Sequence, residues 1–188
     1  MPKTKPRQKL RGDAIALLVI DFQVGLFKKP TPIYHAAEIL ANANILIQKA
    51  RLAGIPIVYV QHCNNSFLQK DTPDWQLHPE LLSPEIGDLR IYKRHGSAFQ
   101  DTALEQELEA RHVGELVICG LVTHGCVKAA CLDACQLGYR LTLAADGHSS
   151  FSKDAAKLIE EWNVKLAQAG AQVLPAGEID LASEVALA

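Results

Sequence analysis

Apolar residues repeat along the chain with two spacings, one typical of helices and one typical of buried strands. Four segments have the helical spacing and each ends near a glycine: 31–53, 103–112, 125–137 and 153–169. Six short apolar runs are predicted strands: 14–20, 57–61, 89–93, 116–120, 139–145 and 171–174. Helices and strands therefore alternate, which predicts βαβ units, an α/β fold and a parallel sheet.

The predicted sheet is covered on both faces. The runs 16–20 and 116–119 are apolar without alternation, as expected for strands with helices on either side. Right-handed crossovers place helices on both faces of such a sheet. We therefore predict a three-layer α/β/α domain built on a six-stranded, doubly wound parallel sheet.

Two connections add to this prediction. Thr31 and Pro32 have the character of an N-cap and a first helical residue, and Gly54 fits the position after that helix. Residues 64–87 form a long irregular insertion rich in Pro, Asp and Asn. Insertions of this length in compact domains are often functional.

Basic residues are concentrated at the beginning of the chain, although the net charge of the whole chain is −2. We expect residues 1–12 to be a flexible basic tail, with a phosphate-binding arm as the alternative, and residues 13–188 to be a single domain. Residues 179–188 are expected to form a short helix that packs on a partner subunit. The near-neutral net charge argues against nucleic acid as a partner.

The sequence contains no pattern of a membrane or exported protein. No stretch approaches the ~20 apolar residues of a membrane span. The run 14–20 is short, ends in Asp21 and lacks a following small-x-small site, so it is interpreted as a strand and not as a signal peptide. The five cysteines are an odd number, which argues against a disulfide framework. We expect a cytoplasmic protein with free thiols.

Polar side chains with catalytic potential follow the predicted strands. Asp21 follows the first strand, His62 the second and His148 the fifth, while Lys93 closes the third and Cys126 follows the fourth. Ligands of parallel sheets bind at the carboxyl ends of the strands, so these side chains are expected along one edge.

Cys126 has the surroundings expected of a nucleophile. It lies near the start of a predicted helix, where N–H groups and the positive end of the dipole stabilise a thiolate and can hold an oxyanion. Asp21 in reach could take the thiol proton, and Lys93 would lower the thiol pKa further. Structural alternatives stay open at this point: Asp21 as a turn cap, Lys93 as a solvated neighbour of Arg94, and Cys126 as a buried small side chain.

The remaining cysteines are expected to be inert. Cys131 and Cys135 lie four residues apart on one predicted helix, where helix packing is favoured over a metal site. Cys119 lies inside a buried strand.

Four stretches of the chain together resemble the isochorismatase-like hydrolase superfamily, also called the cysteine hydrolases. Each stretch alone is unspecific, but in combination they extend over nearly the whole chain after the tail, in the order of the family. They are 19–23 (Val-Ile-Asp-Phe-Gln), 92–99 (Tyr-Lys-Arg-His-Gly-Ser-Ala-Phe), 118–127 (Ile-Cys-Gly-Leu-Val-Thr-His-Gly-Cys-Val) and 145–151 (Ala-Asp-Gly-His-Ser-Ser-Phe).

The resemblance implies an isochorismatase-like, Rossmann-like fold and a catalytic triad of Asp21, Lys93 and Cys126. Members of the family assemble as dimers or tetramers, so a homodimer or homotetramer is implied.

The resemblance also implies a particular backbone before the nucleophile. A non-proline cis peptide is expected between Val122 and Thr123. The N–H groups from Thr123 to Cys126, including that of Gly125, are expected to face the substrate oxygen.

One departure from the family pattern concerns metal binding. Nicotinamidases of the family carry an Asp-x-His metal motif after the second strand, but residues 61–64 read Gln-His-Cys-Asn, so His62 and Asn64 replace the two ligands. We therefore expect no metal or other cofactor, and not nicotinamide as substrate. Residues 71–81 resemble metal-free cysteine hydrolases, which include enzymes that open an amide or a lactam.

The predicted function is hydrolysis of a C–N bond in a small-molecule amide or lactam through a thioester on Cys126. Candidate pocket residues are Gln23, His62, Trp75 and His124. Isochorismatase-type cleavage of a vinyl ether is an alternative. A third possibility, a non-catalytic oligomeric binding or scaffold protein, is disfavoured by the complete triad.

Overall fold

The computed structural model describes residues 11–181, and these form one six-stranded sheet in which every neighbouring pair of strands is parallel. This confirms the predicted fold class. The strands are β1 (Ala14–Ile20), β2 (Ile57–His62), β3 (Leu89–Lys93), β4 (Val113–Leu121), β5 (Arg140–Ser149) and β6 (Gln172–Leu174).

The strand order is β3-β2-β1-β4-β5-β6, so the chain leaves β1 in two opposite directions. From β1 it proceeds through β2 to β3 at one edge, then crosses to β4 on the other side of β1 and continues to β6. A crevice opens at the carboxyl ends of β1 and β4, because the connections that follow these strands diverge. This switch point is where a ligand is expected.

Helices cover both faces of the sheet. They are α1 (Val24–Phe27), α2 (Ala36–Leu52), α3 (Leu104–Ala110), α4 (Lys128–Gln136) and α5 (Ala155–Gln168). Side chains of β1 alternate between two cores: Leu17 and Val19 pack in the same cluster as α2, whereas Leu18 and Ile20 pack in the cluster of α3 and α4. Both faces of β1 are buried, which explains its continuous apolar sequence.

The prediction for the first long helix was wrong at its beginning. Thr31 and Pro32 precede the helix, which begins at Ala36 after His35 in a left-handed conformation (φ 51°). The Tyr34 N–H donates to the Ser150 carbonyl, and the Ser149 hydroxyl donates to the Tyr34 carbonyl. These bonds hold the segment against the end of β5 and delay the helix.

The predicted helix 125–137 is divided in two. Residues Thr123–Val127 form a wide π-type turn, and the regular helix α4 begins only at Lys128. Gly125 lies inside this turn, and its backbone angles (φ −114°, ψ −108°) are not helical.

Parts of the predicted termini lie outside the described residues: 1–10 of the basic tail and 182–188 of the C-terminal helix. Arg11 is the first described residue, and its guanidinium pairs with Glu105 and Glu109 and donates to the Tyr139 hydroxyl and the Leu137 carbonyl. Arg11 is therefore fixed to the domain. Within residues 11–181, no helix has the length and apolar character that a bilayer crossing requires.

Gly120 allows β4 to lie close to β1 at the switch point. Its φ is 149°, and an added Cβ would lie 2.4 Å from the Ile20 carbonyl oxygen. The obstruction is backbone of a buried strand, so it cannot move aside cheaply. A side chain here would push the two strands apart directly below the crevice.

We expect Gly120→Ala to lower the free energy of unfolding by about 3 kcal/mol or more, because it adds a steric clash to an unfavourable φ. Urea denaturation measures this change. Gly170→Ala is the matched control, since Gly170 also has a positive φ (101°) but open space around it. The control should lose only about 1 kcal/mol. Equal losses in the two variants would show that the close approach at Gly120 is unimportant.

Candidate active site

The three predicted catalytic residues meet at the switch point. Lys93 Nζ lies 2.8 Å from Asp21 Oδ2 and 3.0 Å from Cys126 Sγ. The side chains of Asp21 and Lys93 are 1% and 0% exposed, so this ion pair is shielded from solvent. The ammonium is therefore the link between the carboxylate and the thiol.

Each of the three side chains is positioned by a strand end. Asp21 directly follows β1 in a left-handed conformation (φ 55°), and its N–H donates to the Val60 carbonyl of β2. Lys93 is the last residue of β3, two strands away from β1, and its long side chain reaches past the end of β2. Cys126 lies in the turn after β4, on the other side of β1.

Charge in the site is balanced by the ion pair. Burial disfavours the charged form of Lys93, but Asp21 and Cys126 outweigh it and hold the pKa of Lys93 above its usual value. The ammonium and the carboxylate of Asp21 thus neutralise each other in a buried environment.

The expectation that the surroundings lower the pKa of Cys126 was wrong. Burial raises the pKa of the Cys126 thiol to about 12, the Asp21 carboxylate adds to this effect, and Lys93 opposes it without overcoming it. The resting nucleophile is therefore a neutral thiol. Asp21 Oδ1 is buried and has no hydrogen-bond partner among residues 11–181, so a carboxylate oxygen is free to accept a proton.

His62 is a fourth member of the cluster. Its Nδ1 lies 3.2 Å from Lys93 Nζ, and an ammonium can only donate, so Nδ1 accepts and the ring proton is on Nε2. Burial and the nearby Lys93 charge lower the pKa of His62, which keeps the ring neutral. The Lys93 ammonium also donates to the His95 carbonyl, at 3.2 Å.

The residues after β2 do not fit the metal site of the nicotinamidase pattern. Asn64 Oδ1 accepts from two backbone N–H groups and a hydroxyl of the insertion, so it closes a turn. Asp21, His62 and Cys126 offer ligand atoms within 4.8 Å of one another. However, the Lys93 ammonium already contacts all three, which places a resident cation where a metal would bind.

A cavity of about 210 Å³ opens onto the cluster. Asp21, His62 and Cys126 lie in its wall, and most of the remaining wall is apolar. The other lining residues are Leu26, Asn64, Phe67, Leu68, Leu121, Val122 and Phe151. The cavity accommodates a small ligand that presents one polar group to Cys126.

Of the four predicted pocket residues, His62 alone is in this wall. Gln23 is fully buried, and its amide exchanges hydrogen bonds with the backbone of His62 and donates to the Trp75 carbonyl. The Trp75 indole donates to Cys63 Sγ. His124 contacts the Ser150 hydroxyl. Gln23 and Trp75 therefore join the insertion to β2, and neither they nor His124 are among the residues that line this cavity.

The insertion after β2 contributes two wall residues that were not predicted from the sequence. Asn64 organises a turn that presents Phe67 and Leu68 to the cavity. The available signal was a pair of adjacent large apolar residues close to the end of β2. Phe151 was within a quoted motif but was not recognised as a wall residue.

The backbone before Cys126 differs from the expectation in two ways. The cis peptide lies between Leu121 and Val122, one bond earlier than predicted. The Val122 carbonyl accepts from the N–H groups of Gly125 and Val127, so the Val122–Thr123 peptide is already part of the turn. For the same reason, the Gly125 N–H is engaged and does not face the cavity as a free donor.

A hydrogen-bond relay fixes the start of this turn. Asn163 donates its amide N–H to the Ala145 carbonyl, which leaves Oδ1 to accept from His148 Nε2 at 2.8 Å. His148 Nδ1 therefore accepts from the Thr123 hydroxyl at 2.9 Å. His148 is buried, and burial lowers its pKa. The relay thus needs the neutral ring.

We expect acid to weaken the fold through His148. The folded protein keeps this ring neutral, so the unfolded chain binds more protons as the pH falls below about 6.5. The free energy of unfolding should decrease between about pH 7 and pH 5, and His148→Gln should make this decrease shallower. Urea titrations at several pH values measure the slope. An unchanged slope in the variant would contradict the assignment.

Comparisons with known proteins agree with this geometry. A sequence profile described as the isochorismatase domain matches residues 15–176. The chain belongs to the isochorismatase family, which confirms the resemblance drawn from its four motifs.

Individual relatives fall in the same family. Streptothricin hydrolase of Streptomyces noursei is 32% identical over 78% of this chain, which spans only 53% of that enzyme's length. Maleamate amidohydrolase of Pseudomonas putida is 29% identical over 69% of each chain. The crystal structure of an isochorismatase from Pseudomonas putida KT2440 superposes with a TM-score of 0.81 at 28% identity, covering 89% of this chain and 90% of that one.

Proposed function

We propose that this protein is a cysteine hydrolase that cleaves the C–N bond of a small amide or lactam. The observation that carries the proposal is the Lys93 ammonium between Asp21 Oδ2 and Cys126 Sγ, at the inner end of a small apolar cavity. A thiol, a free carboxylate oxygen and a fixed positive charge are the parts that acyl transfer requires.

The first half of the reaction forms a thioester. The Cys126 thiol gives its proton to Asp21 as the sulfur attacks the carbonyl carbon, and Lys93 stabilises the sulfur while its charge develops. The carbonyl oxygen becomes an oxyanion, held by N–H groups of the 123–126 turn other than the engaged one of Gly125. Protonated Asp21 then gives its proton to the nitrogen, and the C–N bond breaks.

The second half restores the enzyme. Water attacks the thioester carbon and gives a proton to Asp21. The C–S bond breaks, the acid is released, and Asp21 returns the proton to the thiolate. The raised pKa of Cys126 supports this sequence, because a thiol that is neutral at rest needs a base such as Asp21.

Two relatives support hydrolysis by their names, and one of these names specifies an amide. Streptothricin hydrolase and maleamate amidohydrolase are both similar to this chain over more than two thirds of its length. The absence of a matching metal motif after β2 supports a reaction carried by the protein's own side chains, since Asn64 and His62 are engaged in other contacts.

We expect Cys126→Ala to lower kcat/KM for a hydrolysed amide by about 10⁴-fold or more, because no covalent intermediate can form. A mass-spectrometric screen of small amides, lactams and isochorismate identifies the substrate and measures the loss. Cys135→Ala, a partly buried thiol outside the cavity, is the control and should keep its activity. If Cys126→Ala still converts isochorismate, the reaction is vinyl ether cleavage.

Asp21→Asn should change two quantities: the pKa of the Cys126 thiol and the rate of turnover. Removing the carboxylate removes one cause of the raised pKa and leaves Lys93 beside the sulfur, so the pKa of Cys126 should fall. Turnover should still fall about 10²-fold or more, because the base is lost. Thiolate absorbance against pH, with Asp21→Asn/Cys126→Ala as the blank, measures the shift. A higher pKa in the variant would contradict the proposed charge balance.

We further propose that the chain, as one domain over 13–188, acts in the cytoplasm as a homodimer or homotetramer. The support is the family's mode of assembly. Light scattering of the purified full-length chain measures the oligomeric state directly.

A further inference from the structure

Asn163, on α5, is bonded to β5 by both polar atoms of its side-chain amide. Its N–H donates to the Ala145 carbonyl at 3.1 Å, and its Oδ1 accepts from His148 Nε2 at 2.8 Å. A carbonyl can only accept, so the first of these bonds decides which amide atom faces the ring. Asn163 therefore fixes the proton of His148 on Nε2 and leaves Nδ1 as an acceptor.

This tautomer of His148 holds the nucleophile turn, which comprises residues Thr123–Val127. The Thr123 hydroxyl donates to His148 Nδ1 at 2.9 Å. Both side chains are 1% exposed, so solvent cannot take the place of either partner. A second contact to the turn, between Ser150 Oγ and His124 Nδ1, is longer at 3.4 Å. The bond from His148 is thus the closer of the two contacts.

Thr123 is also bonded to the backbone on the far side of the sulfur. The N–H of Lys128, two residues after Cys126, donates to the carbonyls of Thr123 and Gly125. Within the nucleophile turn, Gly125 has the backbone freedom of a residue without a Cβ. The turn therefore depends on contacts from outside it for its shape. A shift of Thr123 would move the sulfur relative to Lys93, which is held by a different strand.

We propose that Asn163 is a positioning residue for the Cys126 nucleophile. It acts through His148, which in turn holds Thr123. This inference rests on the proposed function, since it takes Cys126 as the nucleophile. Asn163 is not among the residues that line the cavity, so its part is to keep the sulfur 3.0 Å from Lys93 Nζ. Such positioning matters for rate, because a displacement of about 1 Å can cost on the order of a hundredfold.

The alternative is that Asn163 only ties α5 to the sheet. Asn42 provides the comparison, because its amide N–H ties α2 to the Asp146 carbonyl at 2.9 Å, one residue after Ala145. Both asparagines are half-buried, and their helices pack on opposite faces of the sheet. Within residues 11–181, Asn42 makes no hydrogen bond to His148 or to the nucleophile turn. Its removal therefore measures the effect of a tie alone.

Alkylation of Cys126 by iodoacetamide tests the proposal in the full-length protein without requiring turnover. The reaction replaces the S–H bond with an S–C bond and releases iodide and a proton. Peptide mass spectrometry separates Cys126 from the other cysteines. We expect Asn163→Ala to lower the rate at neutral pH about tenfold, because the sulfur moves away from its base and its cation. Asn42→Ala should leave the rate unchanged.

A double-mutant cycle with Thr123→Val tests the path through the ring. Valine has a shape similar to threonine but lacks the hydroxyl donor, so this variant should also slow alkylation about tenfold. If both residues act through His148, the double variant should lose no more than about tenfold, whereas independent effects would multiply to about a hundredfold. Multiplied effects, or an unchanged or faster rate in Asn163→Ala, would overturn the proposal.

Hydrogen exchange shows whether the variants are folded and where they open. Asn163→Ala should speed exchange of the amide N–H groups of residues 123–128 about tenfold, while β1 stays protected. Asn42→Ala should leave the exchange of this segment unchanged. The same exchange of residues 123–128 in both variants would contradict a specific hold on the turn.

Turnover separates this inference from the proposed function. For an amide that the unmodified protein hydrolyses, Asn163→Ala should lower kcat about tenfold and leave KM unchanged. If this variant slows alkylation but the unmodified protein hydrolyses no amide in the panel, the proposed function fails and the positioning role stands. If an amide is hydrolysed and Asn163→Ala keeps its kcat, the proposed function stands and the positioning role fails.

Discussion

The buried ammonium of Lys93 is the interaction on which the site depends. A lone charge in this position would be strongly destabilising, so the fold must supply acceptors from every side. It does so with Asp21 Oδ2, Cys126 Sγ, His62 Nδ1 and the His95 carbonyl. The same contacts that neutralise the charge bring a carboxylate, an ammonium and a thiol together beside the cavity.

Much of this architecture could be predicted from the sequence. Strands β1 and β3 were predicted at their observed bounds. A charged residue directly follows each of them along the chain. The convergence of Asp21, Lys93 and Cys126 followed from a property of parallel sheets, namely that polar residues after successive strands share one edge. Their roles as a triad were implied only by the resemblance to the family. The sequence did not reveal that the regular helix begins only at Lys128, after a turn in which Gly125 has non-helical backbone angles, since glycine tolerates both conformations.

The errors arose where a residue's role depends on burial. Gln23 comes shortly after β1 and Trp75 lies in the insertion, but both are buried and donate their side-chain N–H groups to acceptors inside the protein. Phe67 was missed because an irregular insertion has no periodicity to interpret. The protonation of Cys126 depends on desolvation, which no local pattern of residues indicates.

The position of β3 has a consequence for how the enzyme is kept active. Within residues 11–181, this strand of five residues forms one edge of the sheet and pairs only with β2, yet it carries Lys93. Edge elements open locally at a lower free-energy cost than the centre of a domain. Detachment of β3 alone would leave Asp21 and Cys126 in place without their shared cation. Under the proposed mechanism, catalytic competence therefore depends on the local stability of an edge strand and not on the global stability of the core.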